Sequence, residues 1–208
     1  MKNRNDEIMR TYSDEHGYVG LSDSKMKHMA VVAEQCYLIA RDYYKIEEET
    51  VLQSSYLTGW LHDVGYAFSG LKGSSAHEEI GARLPLVKDT TIGEAIRTHG
   101  KALEDFSFYS VILRAADLSV NTKGEVIGPE KRIKDIGQRY GEDSSNYKVA
   151  QKSYQWLSTL PEIKKYFEDA TDGKTSGLFG MKLCEKCGCL LTKDSKCLNC
   201  EDVKLDDI

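Results

Sequence analysis

The sequence predicts an all-α domain with a small cysteine-rich appendage, and three observations lead there. Apolar residues recur every three or four positions through the first 170 residues. No segment in that stretch alternates as a half-buried strand does. Five of the six cysteines crowd into residues 184 to 200, after a change of composition. At 208 residues the chain is long enough for one core and an appendage. Hydrophobic residues at 40%, charged residues at 29% and only three prolines exclude a disordered or collagen-like chain. A net charge of -5 provides no general basic field for gathering nucleic acid or anionic lipid. The opening stretch MKNRNDEIMRTYSDEH lacks the apolar run of a secretory signal, and no stretch is apolar enough to span a bilayer. No membrane contact is expected, and the reading is cytoplasmic.

The elements follow in order. From Ser22 to Tyr44 the positions Met26, Ala30, Ala33, Tyr37, Ala40 and Tyr44 form a helical stripe, with His28 in its first turns. A second helix, Thr50 to Leu61, is apolar on most sides and therefore central; it ends at His62-Asp63. After a Gly/Ser loop from Ser69 to Ser75, a short helix carries His77, Ile80, Gly81 and Leu84, with Ser74 or Ser75 as cap and Pro85 as stop. Thr90 or Thr91 caps the next, where Ile92, Ala95, Ile96 and His99 share a face. The run from Phe106 to Val120 reads as a buried helix with Asp117 inside it. Pro129 sits at a first helical position, followed by a stripe of Ile133, Ile136 and Tyr140. Helices over Ser145 to Leu157 and Pro161 to Ala170 complete a domain spanning 1–170, and the Gly-rich stretch 171–180 reads as a linker.

Four of the five histidines face this core or end a buried helix; His16, in a polar segment, is assigned nothing. A single histidine on an apolar face is most often a satisfied core residue, but four together with Asp63 and Asp117 are not so explained. An ionised carboxylate among apolar neighbours is costly unless a cation meets it. Imidazole and carboxylate ligands suit iron, manganese, zinc and similar divalent ions.

The ordered set of His28, LHDVGY with His62 and Asp63, AHEEIGARL, AADLS with Asp117, and EKRIKDIGQRYG resembles the HD-domain metal-dependent phosphohydrolases of the HDIG type, over His28 to about Tyr140. The resemblance implies an HD-domain helical bundle in which His28, His62, Asp63 and Asp117 hold one metal. His77 and His99 match the extra histidines of dinuclear members, with Asp63 bridging to a second ion. One or two ions of iron, manganese, magnesium or similar are implied, with His62 and Asp63 at the centre of catalysis. Where several phosphodiesterase branches carry lysine in HDxGK, this chain has Tyr66. Water activated by the metals would be the nucleophile, so no serine or cysteine nucleophile is required, and Cys36 is left to the core.

The expected activity is hydrolysis of a nucleotide or other small phosphate ester, with Lys72, Lys101 and Arg139 as candidate substrate contacts. Two other readings are a nucleotide-binding sensor without turnover and a di-iron oxygenase. No Walker-type glycine motif or basic stripe favours a nucleic acid polymer.

In residues 181–208, Cys184-x-x-Cys187 and Cys197-x-x-Cys200 can close a tetrahedral zinc site and resemble a short zinc ribbon, with Cys189 left over. A unit so small needs its metal to fold, so structural zinc is expected. Five lysines against six acids and no aromatic residue favour a protein contact or a lid over nucleic acid.

Overall fold

The computed structural model of the chain describes residues 17, 19–68, 76–101 and 107–175. The tail cysteines Cys184, Cys187, Cys189, Cys197 and Cys200 lie outside the described residues, as do Lys72 and His16.

Helix α1, Asp23–Leu38, begins where the Ser22 hydroxyl accepts a hydrogen bond from the Lys25 amide, satisfying one of the free N–H groups of the first turn. It runs directly into a π-helical turn, Ile39–Tyr43, where the periodicity predicts uninterrupted α-helix to Tyr44. There follow α2, Glu49–Leu61, and a 3-10 turn, Val64–Ala67. Next come α3, Ala76–Ala82, and α4, Thr91–Thr98, the latter capped by the Thr90 hydroxyl. Helix α5, Phe108–Asp117, is capped by Ser107. Proline at the first turn opens both α6, Pro129–Tyr140, and α8, Pro161–Thr171, while Ser144 caps the intervening α7, Ser145–Leu157. No strand occurs among the described residues; Val120 and Val126 form an isolated antiparallel bridge. No described helix is long and apolar enough to cross a membrane.

Helix α5 is the centre of the bundle, touching α1, α2, α4, α7 and α8, and every residue from Ser110 to Ala116 is buried. Around it pack Val32, Cys36, Ile39, Leu157, Ile163 and Tyr166. Full burial of each such aliphatic side chain is worth roughly 1.5–3 kcal/mol. A second cluster, Ala67, Phe68, Ala82, Leu84, Val87 and Ile96, ties the 3-10 turn to α3 and α4. Helices α1 and α2 cross closely because Gly59 has no side chain: a Cβ there would lie 2.5 Å from the Ala33 Cα. That approach brings the end of α2 beside the start of α1.

Two apolar stripes differ at their ends from the periodicity. Met26 and Tyr140 are exposed rather than packed, since each lies past the point where its helix leaves the core. Leu84 is buried as expected, but from a turn beyond α3. After α8 the chain continues in turns to Thr175, which is buried; the Gln35 side chain donates to the Thr175 carbonyl at 3.0 Å and accepts from the Tyr166 hydroxyl at 3.1 Å.

Candidate metal centre

Five separate segments deliver the six predicted ligands. His28 projects from the second turn of α1, His62 and Asp63 follow the last residue of α2, and His77 opens α3. His99 caps the C-terminus of α4, and Asp117 is the final residue of α5. All four histidines and Asp63 are nearly inaccessible, while Asp117 opens partly to a cavity.

Asp63 is the hub. Its Oδ1 lies 3.1 Å from His77 Nε2 and 3.7 Å from His99 Nε2. Its Oδ2 lies 3.4 Å from His62 Nε2 and 3.9 Å from His28 Nε2. Each carboxylate oxygen thus addresses one pair of imidazoles. The donor atoms sort into two groups, His28–His62–Asp63 and Asp63–His77–His99, within each of which they lie no more than 4.8 Å apart. Asp117 Oδ1 approaches His28 Nε2 at 3.1 Å and so joins the first group from outside.

The imidazoles are oriented from behind. His28 Nδ1 is 2.9 Å from the Asn121 carbonyl, His62 Nδ1 is 2.7 Å from the Gly59 carbonyl, and His99 Nδ1 is 2.7 Å from the Ile96 carbonyl. A carbonyl only accepts, so each of these Nδ1 atoms carries a proton, and in the neutral ring it is Nε2 that presents a lone pair to the cluster. For His62 and His99 the carbonyl belongs to the helix they terminate, which is how a chain end becomes a ligand mount. Asn121 is held in its own turn, its side-chain oxygen accepting from the Lys123 and Glu125 amides.

Lone pairs converging on a carboxylate need a cation between them. His62 Nε2 is buried without a hydrogen-bond partner, which is costly unless something else meets it. Burial pushes the Asp63 carboxyl up, but His62, His77 and His99 outweigh it and hold the group well below the usual carboxylate range. Asp117 is likewise pushed up by burial and held low by His28, Arg132 and His62. Burial pulls the His99 imidazole down, and Asp63 and Asp117 bring it above its ordinary value. These buried histidine and aspartate groups fit a metal ion in donor type, tautomer and position.

Above the cluster lies a cavity of about 320 Å³. Lys25 enters it beside the cluster, its Nζ 2.7 Å from Asp63 Oδ2 and 4.3 Å above the Tyr66 ring, and that ring stacks on His77 with centroids 4.0 Å apart. Arg132 and Arg139 also line it, both bound at 2.9 Å to Asp135, which holds them side by side, and Arg132 Nη2 reaches Asp117 Oδ1 at 3.8 Å. Arg114, buried among the lining residues, donates to the Thr98 and Lys101 carbonyls at the end of α4 and to Ser153. Burial lowers its pKa to about 10, leaving it charged at neutral pH.

All six predicted ligands therefore come together, and Arg139 reaches the cavity wall. Lys101 is exposed and contributes its carbonyl to Arg114, while its side chain is not part of the lining. Lys25, Glu78, Arg114 and Arg132 line the cavity without having been singled out in the sequence. Only Arg114 carried a readable signal, as a cation inside the apolar run FYSVILRAAD. Comparison with family models, curated proteins and solved structures finds no match to this chain.

Proposed function

We propose that the chain is an HD-type metal-dependent phosphohydrolase acting on a nucleotide or other small phosphate ester. Two divalent ions, iron, manganese or magnesium, would be held by His28, His62, Asp63, His77, His99 and Asp117. One observation carries the reading: the two oxygens of Asp63 face two separate imidazole pairs, directly beneath a cationic cavity wall. Such ions, when bound, lower the pKa of water and offset the charge that builds on a phosphoryl group.

The chain's own residues do the rest. The Asn121, Gly59 and Ile96 carbonyls orient the imidazoles of His28, His62 and His99, so these three need not reorganise during the reaction. Lys25, Arg132 and Arg139 receive the anionic oxygens of the ester through charge-assisted hydrogen bonds. Asp135 keeps the two guanidiniums pointed at the same region. Tyr66 and Tyr140, both partly exposed at the cavity, offer apolar surface to the organic part of the substrate. In the tail, Cys184, Cys187, Cys197 and Cys200 would hold a structural zinc and serve a protein contact.

Elemental analysis of the purified protein, followed by a phosphate-release screen across nucleotides, tests this. The expected result is bound divalent metal and release from at least one nucleotide. Bound metal with tight nucleotide binding and no release makes the chain a sensor. Oxygen consumption by an iron-loaded sample without phosphate release makes it an oxygenase.

A further inference from the structure

His77 differs from the other three histidines. Its Nδ1 meets no main-chain carbonyl; it faces Glu78 Oε2 at 3.3 Å, and both atoms are buried without a hydrogen bond. Glu78 is itself only 4% exposed, although it is a carboxylate and follows His77 directly in sequence. Its other oxygen occupies the space where a Cβ on Gly100 would sit, so the absence of a side chain at Gly100 makes room for it. Gly100 in turn follows His99. Glu78 is thus lodged between the backbones of the two histidines that share Asp63 Oδ1.

A buried carboxylate without a partner costs several kcal/mol, and such groups persist where a cation or a polarised donor meets them. An imidazole whose Nε2 ligates a cation becomes a stronger donor at Nδ1, and a carboxylate behind it is the strongest of the usual acceptors. A small rotation of the His77 ring closes the gap. We propose that Glu78 is a positioning residue for the second ion: by accepting the Nδ1–H of His77 it holds that ion on the His77–His99 side of Asp63. The two ion positions are then unequal by construction, one backed by neutral carbonyls and the other by a charged group. The inference rests on the two-ion reading above.

Manganese(II) titration of the full-length protein, followed by electron paramagnetic resonance and elemental analysis, tests it; manganese is hard and poorly suited to the thiolates of the tail. Wild type is expected to bind two ions with separable affinities. In Glu78→Gln the second site, deprived of its charged backing, should lose roughly 10–100-fold in affinity while the first changes by no more than about twofold. Gly100→Ala, which displaces the Glu78 carboxylate, should give the same selective loss; circular dichroism checks that each variant is folded, and Glu78→Asp replaces Gln if that variant is not. Unchanged binding of both ions in folded Glu78→Gln overturns the inference alone, as does an equal weakening of both. A wild type that binds a single ion overturns the two-ion reading and this inference with it.

Discussion

Asp63 is the residue on which the cluster turns, because removing it strands four imidazoles that face one another with nothing to balance them. His62→Ala and Asp63→Ala are each expected to end phosphate release and metal retention while far-ultraviolet circular dichroism keeps most of the helical signal. Turnover in either variant would remove the site from the reaction. Arg139 is a milder case: it is a third exposed and holds Asp135 rather than a ligand. A hydrogen bond to a charged group is worth about 1.5–3 kcal/mol, so Arg139→Ala should raise KM roughly 10-fold or more with little change in kcat. An equal fall in kcat would instead assign it to the transition state. At this scale the ligands were legible because a histidine or aspartate on an apolar face is conspicuous. Lys25 and Arg132 were not, since a cation on a polar helix face looks the same whether it meets solvent or a cavity.

Helix ends, more than helix interiors, assemble the cluster: α2 and α4 each stop just before a predicted ligand, α5 stops on one, and α3 carries one in its first turn. Thr90 caps the helix that carries His99, and Thr90→Ala should cost about 1 kcal/mol. For a domain of this size that lowers Tm by roughly 2–4 °C, a shift that a thermal melt resolves. Gly65 is a harsher test, since a Cβ there would collide with the His77 carbonyl, and neither the 3-10 turn nor α3 can stay where it is. Overpacking of this kind costs about 1–3 kcal/mol, and Gly65→Ala is expected to weaken metal binding as well as stability; wild-type metal affinity would show that the contact relaxes harmlessly. The starts of α4, α6 and α8 were readable from Thr90 or Thr91, Pro129 and Pro161, whose chemistry is local. The π-helical turn at Ile39–Tyr43 was not, because it answers to packing against α8 rather than to any residue within the turn.

Taken whole, the molecule draws several phenols wholly or partly out of water. Burial and Glu162 push Tyr44 up to about 12, and burial raises Tyr43, Tyr66 and Tyr166 further. Below the ordinary tyrosine value near pH 10 both folded and unfolded chains keep these protons, and stability does not depend on them. Above it the unfolded chain loses protons that the folded chain retains, so stability should fall as pH rises, with tyrosinate absorbance appearing together with loss of helical signal. Smooth titration of every tyrosine near pH 10 in a still-folded protein would contradict this. The helical architecture of the described residues could be read from periodicity, whereas the helix expected at the centre, Thr50–Leu61, yields that place to α5, because α5 is buried from Ser110 to Ala116 on all sides and α2 only in part. The grip of Gln35 on the Thr175 main chain, from within the core and alongside Tyr166, has a mechanical result. Thr175 is therefore an anchored root rather than a fraying helix tip, clamped to the bundle four residues beyond the end of α8.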